Sequence, residues 1–227
     1  MLEAVIFDMD GVLVDSHAAH KQAWQTFLDS VGRTVTDAEL EFIFDGRKRE
    51  DILGYFLGEL SAEEIRRFGA QKEALFRREA AQLKTVRGVN EFLEDLGNEE
   101  LKLAVASAGS NSRVHFVLEQ LRIHRYFDAI VAGDDVSLGK PDPSIFKLAS
   151  RRLGVDADRA IVFEDSVSGI KAAKAAGMKC VAMGERSRAD ILLGAGADEV
   201  IADFISFPIG ELHRIFNNSK SVVSWDS

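Results

Sequence analysis

Three aspartates, Asp8, Asp10 and Asp15, fall within eight positions of the stretch FDMDGVLVDS (7–16), directly after the apolar run Ala4-Val5-Ile6-Phe7. Further along, Ser107 follows LKLAVA (101–106), Lys140 lies beyond DAIVAG (128–133), and the pair Glu164-Asp165 follows AIVF (160–163). Acidic groups gathered from these places would repel strongly in a low-dielectric crevice, and a hard cation with oxygen ligands relieves that repulsion. Mg2+ fits best, because it accepts a few carboxylates while retaining water and substrate phosphate oxygens. One carboxylate then serves as nucleophile and a neighbour as general acid and base. Ser107 would hydrogen-bond a phosphoryl oxygen, and Lys140 would supply a point positive charge.

Each group has a plainer use when taken alone. An Asp-x-Asp-Gly stretch could open a calcium loop, but glycine stands at the fourth place rather than the sixth, and Ala19 occupies the place of the closing glutamate. Ser107 suits a loop or a helix cap, Lys140 in the turn GKPDP suits solvent, and Glu164-Asp165-Ser166 suits the start of a helix. Position favours chemistry: all four sites follow strand-like runs in the order a crevice demands.

The elements that must position them can be read from periodicity. AVIF (4–7), LKLAVA (101–106), DAIVAG (128–133), AIVF (160–163), KCVAM (179–183) and EVIA (199–202) read as buried parallel strands. VHFVLEQLR (114–122), SIFKLASRRLG (144–154) and VSGIKAAKAAG (167–177) have helical apolar spacing, and the last two end in glycine. This alternation predicts an α/β fold with an open parallel sheet and right-handed crossovers, its ligand crevice beyond the carboxyl ends of the strands. One interval breaks the rhythm. Between about Ser16 and Thr85 there is no comparable strand, only helical patterns around 17–31, 37–44, 48–58 and 61–81. It reads as a helical insertion, with Ser61 and Glu64 forming a capping box and TVRG (85–88) returning the chain to the core. No internal repeat or low-complexity tract is present, and the polar tail 217–227 is expected to fray, with Trp225 able to dock on the surface.

Composition narrows the function classes. At 227 residues with 46% hydrophobic side chains, the chain can bury a sizeable core in one or two domains. Its net charge of -9 excludes the broad basic surface that nucleic-acid binding needs, without excluding a small phosphate ligand. The single cysteine, Cys180, sits in an apolar run and is expected to pack as a small hydrophobe. No apolar run approaches the roughly 20 residues of a membrane span. With no signal-like segment ahead of the first strand, the expectation is a cytoplasmic protein, monomeric or weakly self-associating.

The motifs FDMDGVLVDS, VASAGS (105–110), GKPDP (139–143) and FEDSVSGI (163–170) resemble the four ordered motifs of the haloacid dehalogenase superfamily, and the resemblance extends to about residue 205. It implies a Rossmann-like core of residues 1–15 and 86–227 with an α-helical cap of residues 16–85 inserted after the first motif. It further implies that Asp8 attacks phosphorus to give an aspartyl-phosphate, while Asp10 protonates the leaving oxygen and later activates the acceptor. Mg2+ would be held by Asp8, the backbone carbonyl of Asp10, and Asp165, with Glu164 close by or ligating. True dehalogenases of the superfamily lack the second aspartate, so Asp10 points to phosphoryl transfer. Phosphonate-cleaving relatives need a cap lysine that forms a Schiff base, and nothing here identifies one.

Within the superfamily the chain resembles the branch of β-phosphoglucomutase and small sugar-phosphate phosphatases. His20 and Trp24, four apart on one helix face, match a pattern near the mutase hinge. Arg49 matches an arginine that grips the phosphate not being transferred, and Lys72 falls where the mutase has a cap lysine facing the site. Ala108 and Asn111, in the loop after Ser107, complete the expected substrate contacts. Two departures favour a phosphatase: Asp45 stands where mutases usually carry lysine, and the loop Ala108-Gly109-Ser110-Asn111 lacks their basic residue. The expected function is a Mg2+-dependent phosphatase acting on a small phosphorylated metabolite, with β-phosphoglucomutase as the alternative. A noncatalytic protein on the same fold is the third reading, disfavoured because every catalytic position is filled.

Overall fold

The computed structural model describes residues 1–205 and 207–217. Its strands are β1 (Ala4–Phe7), β2 (Val14–Asp15), β3 (Lys84–Thr85), β4 (Lys102–Ala106), β5 (Ala129–Val131), β6 (Ala160–Glu164), β7 (Lys179–Met183) and β8 (Glu199–Ile201). Its α-helices are α1 (His17–Ser30), α2 (Asp37–Phe44), α3 (Arg49–Leu57), α4 (Ala62–Glu79), α5 (Val89–Leu96), α6 (Asn111–Gln120), α7 (Ser144–Leu153), α8 (Val167–Ala175), α9 (Ala189–Gly194) and α10 (Ile209–Asn217).

Each of the six apolar runs becomes a strand of one sheet, ordered β5-β4-β1-β6-β7-β8 with every pair parallel. The runs are continuously apolar because both faces of the sheet are covered. Val5 and Phe7 of β1 point into one layer with Val105, Phe163 and Val181, while Ala4 and Ile6 point into the other with Ala104, Val162 and Cys180. Phe7 and Phe163, paired in register on adjacent strands, stack with ring centroids 5.1 Å apart. Cys180 is buried within this packing, and burial pushes its thiol pKa well up, so it behaves as a hydrophobe.

Strand order reverses at β1. Its crossover to β4 lies on one side and the later strands β6 to β8 lie on the other, so the crevice opens at the carboxyl end of β1, where Asp8 and Asp10 follow.

The interval without a long strand contains α1 to α4, packed around Trp24, Phe27, Leu28, Leu40, Ile43 and Leu53. Ser61 and Glu64 form the expected capping box, and Thr36 with Glu39 forms a second at the start of α2. One feature was not anticipated. The segment begins and ends in a short antiparallel ribbon, β2 on β3, with Asp15 opposite Lys84. Two-residue strands carry too little pattern to stand out in a sequence. The polar tail beyond Asn217, Trp225 included, lies outside the described residues.

Candidate active site

Buried strand ends set the floor of the site. Asp8 leaves β1 with its N–H donating to the Phe163 carbonyl at 2.9 Å, which fixes it beside the end of β6. Gly11 has φ +76°, and a Cβ there would lie 2.1 Å from Asp165 Oδ2. Only glycine therefore lets this turn pass so close to the Asp165 carboxylate. Lys140 is buried, its Nζ 2.5 Å from both Asp8 Oδ1 and Glu164 Oε1. The other Glu164 oxygen accepts from the N–H groups of Asp165, at 2.6 Å, and Ser166, at 2.9 Å. Glu164 thus aims Lys140 while bracing the turn into α8.

Electrostatics follow from one lysine facing several carboxylates. Burial raises the Asp8 pKa well above the usual range; Lys140 opposes the shift, whereas Glu164, Asp165 and Asp10 add to it. Glu164 is raised too, first by burial. Burial works against the charge on Lys140, yet Asp8 and Glu164 raise its pKa further. Carboxylate oxygens of Asp8, Glu164 and Asp165 lie within 4.8 Å of one another. An all-oxygen, negatively charged donor set fits a hard divalent cation, with Asp8 and Asp165 the ligands least engaged by backbone.

Above this floor, three side chains surround Asp10. Ser16 Oγ donates to its Oδ1 at 2.6 Å, His20 Nε2 lies 3.2 Å from the same oxygen, and Arg113 Nη1 donates to Oδ2 at 2.7 Å. Burial alone would raise the Asp10 pKa, but the Arg113 guanidinium outweighs it and holds the carboxyl well below its usual value. His20 is buried against Phe76, and burial together with Lys72 lowers its pKa to about 3, so the ring is neutral. Arg113 Nη1 also stands 2.7 Å from His20 Nε2 and has no lone pair to offer, so Nε2 accepts and the ring proton belongs on Nδ1. That nitrogen faces Lys72 Nζ at 2.8 Å. Burial and then Arg113 bring Lys72 down to about 7, so its neutral amine is accessible as the acceptor.

The same cavity is lined by Asp8, Asp10, His20, Arg49, Lys72, Ser107, Ala108 and Asp165. Lys140 adjoins it through its bond to Asp8, and Glu164 through its bond to Lys140. Asn111 stands apart from the cavity: it is exposed, and its N–H donates to Asp134 Oδ2 at 2.8 Å at the start of α6. Asp15 is exposed in the β2–β3 ribbon.

A family model described as haloacid dehalogenase-like hydrolase matches residues 5–183. The chain belongs to this family. A phosphorylated carbohydrates phosphatase of Thermotoga maritima is 36% identical over 183 residues, covering 78% of this chain and 83% of the relative. A β-phosphoglucomutase of Bacillus subtilis is 30% identical over 223 residues, covering 94% and 95%. Among solved structures, a β-phosphoglucomutase from Clostridium difficile matches with a TM-score of 0.85 at 27% identity, covering 96% of this chain and 98% of that one. This member of the haloacid dehalogenase-like hydrolases is thus an enzyme of the phosphatase and phosphoglucomutase kind.

The main omission is Arg113. A loop read only from Ala108 to Asn111 has no basic residue, but α6 begins there with Ser110 as its cap, and its third residue turns a guanidinium back into the cavity. Gly109 leaves the room: a Cβ on it would lie 2.2 Å from an Arg113 nitrogen. The clue was the Ser110-to-Arg113 spacing, which places Arg113 in the first helical turn. The site also includes His17, three residues before His20 on α1, its Nε2 3.1 Å from Asp165 Oδ2. That hydrogen bond raises the His17 pKa. Asp45, expected to weaken binding of a second phosphate, instead accepts from the Ser168 N–H at 2.9 Å and from the Ser168 hydroxyl, which ties the α2–α3 turn to the start of α8.

Proposed function

We propose that this chain is a Mg2+-dependent phosphatase that hydrolyses a small, hydroxyl-bearing phosphorylated metabolite through an aspartyl-phosphate on Asp8, with residues 16–85 acting as a cap over the core. The observation that carries the choice of water over a sugar acceptor is Glu73. Its carboxylate lines the cavity beside Lys72, and its Oε1 is buried without a hydrogen-bond partner among the described residues, Arg77 standing 3.6 Å away. An acceptor of this kind suits a substrate hydroxyl and repels a second phosphate, and a phosphoglucomutase must seat two phosphates in its bisphosphate intermediate. Arg49, the residue suited to grip that second phosphate, is paired with Glu50 at 2.9 Å.

In this mechanism a carboxylate oxygen of Asp8 attacks phosphorus, and the P–O bond to the leaving group breaks. Lys140 favours the ionised form of Asp8 against its burial, and Ser107 donates to a phosphoryl oxygen. Mg2+ bound by Asp8 and Asp165 would neutralise phosphoryl charge. The anionic ester competes for Arg113 and loosens its hold on Asp10, whose carboxylate then takes up a proton from solvent and delivers it to the leaving oxygen; the regenerated carboxylate next takes a proton from the water that attacks phosphorus and resolves the intermediate. The named relatives include both a carbohydrate phosphatase and a β-phosphoglucomutase, so the alternative remains specific: the His20, Lys72 and Asp10 constellation would also serve a sugar acceptor.

A phosphometabolite panel with Mg2+, run with and without a sugar bisphosphate, separates the two. Free phosphate released without primer supports the phosphatase. Primer-dependent conversion of β-glucose 1-phosphate to glucose 6-phosphate, with little phosphate release, would replace it by the mutase.

A further inference from the structure

Away from the cavity, α6 ends in a tight reversal. The N–H of Arg122 donates to the Glu119 carbonyl and that of Ile123 to the Leu118 carbonyl, both at 3.0 Å, while Arg122 takes φ 59°. This is the paired-bond helix stop that usually carries glycine. It folds the chain back so that His124, in the following 3-10 turn, lies beside the last two turns of the helix. His115 and Glu119, four apart, share that helix face. The two imidazoles have centroids 5.5 Å apart with planes at 39°. Ligand-capable atoms of His115, Glu119 and His124 all lie within 4.8 Å of one another. Apart from the imidazole contact, no hydrogen bond or ion pair engages the three side chains among the described residues.

We propose that His115, Glu119 and His124 form a surface site for a borderline divalent transition metal, Zn2+ first, independent of the catalytic chemistry. Two imidazole nitrogens and one carboxylate oxygen are a zinc donor set, whereas Mg2+ prefers oxygen alone. Ligand atoms around tetrahedral zinc stand about 3.3 Å apart for bonds near 2.0 Å, so rotation of these partly exposed side chains closes the gap. Three protein ligands leave the fourth position to water. None of the three lines the substrate cavity. Bound Zn2+ would clamp the end of α6, whose first turn carries Arg113, to the turn that feeds the edge strand β5.

The test uses the full-length protein in excess Mg2+, which occupies oxygen sites, titrated with Co2+ as a visible-absorbing probe and then with Zn2+ in competition. The expected result is one equivalent bound with micromolar affinity or better. Affinity should fall at least tenfold in His115→Gln and in His124→Gln, and stay unchanged in Asp165→Asn. Zn2+ at about a hundredfold excess over its Kd should also raise Tm by about 5 °C in the wild type but not in the histidine variants. Matching far-UV spectra and metal-free Tm values would show that the variants fold. Binding that survives both histidine substitutions, binding lost only in Asp165→Asn, or no binding at one equivalent overturns the site. Half an equivalent with dimer formation overturns a site built within one chain.

Discussion

Arg113 Nη1 lies 2.7 Å from Asp10 Oδ2, a part-buried ion pair that links α6 to the second aspartate of the first motif. The same nitrogen reaches His20 on α1, so one guanidinium sets the charge of Asp10 and joins α6 to α1. Removing one partner of a buried charge pair costs more than the pair contributes, because the other charge stays desolvated. Arg113→Ala should therefore lower kcat/KM by about 100-fold or more, and Arg113→Lys should recover only part of it, since an ammonium cannot reproduce the fork. Steady-state kinetics on the best substrate of the panel checks this, and values within threefold of wild type for Arg113→Ala would remove Arg113 from the site.

Asp45 and Ser168 make a second bridge, between the α2–α3 turn and the start of α8. If the bridge helps hold the cap over the substrate, Asp45→Ala and Ser168→Ala should each lower kcat/KM several-fold, and the double variant should be no worse than either. A double-mutant cycle should give a coupling of about 1 kcal/mol. Strictly additive effects would show that the two side chains act separately.

Lys72 offers a stability measurement with a definite sign. Its pKa falls from 10.5 to about 7 on folding, chiefly through burial. Below about pH 7 both states are protonated and the cost of burying the charge is full. Between about 7 and 10.5 the folded state sheds a proton that the unfolded state keeps, so stability rises with pH; above that range the contribution is flat. Lys72→Met should therefore be more stable than wild type below pH 7, by on the order of 3 kcal/mol, and the difference should shrink toward pH 10. Urea midpoints at about pH 6 and about pH 9.5 decide it, and a difference that grows with pH contradicts the burial of a titrating amine.

The sequence carried the sheet well, because strands buried on both faces leave uninterrupted apolar runs, and β1, β4, β6 and β7 each match one. It carried the floor of the site for the same reason, since Asp8, Ser107 and Glu164 sit at or just beyond strand ends. The two-residue ribbon of Val14–Asp15 on Lys84–Thr85 has no periodicity to show. Arg113 was hidden because helical geometry, not chain proximity to Ser107, brings it to Asp10. Asp45 was legible only as a missing lysine, because its hydrogen bonds to the start of α8 come from a residue 123 positions away.

Removal of metal gives a further check on the floor. Chelation should abolish turnover, and Mg2+ should restore it. Asp165→Asn should weaken Mg2+ dependence of the rate at least tenfold, because it removes one of the two carboxylates least engaged by the backbone. Full activity in chelator would refute the assignment of Asp8, Glu164 and Asp165 to a cation.

The nucleophile is tested most directly by Asp8→Asn, with turnover measured at saturating Mg2+ alongside a thermal melt to establish that the variant folds. The proposed mechanism predicts a loss of about 1,000-fold or more in kcat for every phosphomonoester hydrolysed by the wild type. A folded Asp8→Asn enzyme that retains activity within tenfold of wild type would contradict attack by Asp8 and the aspartyl-phosphate with it.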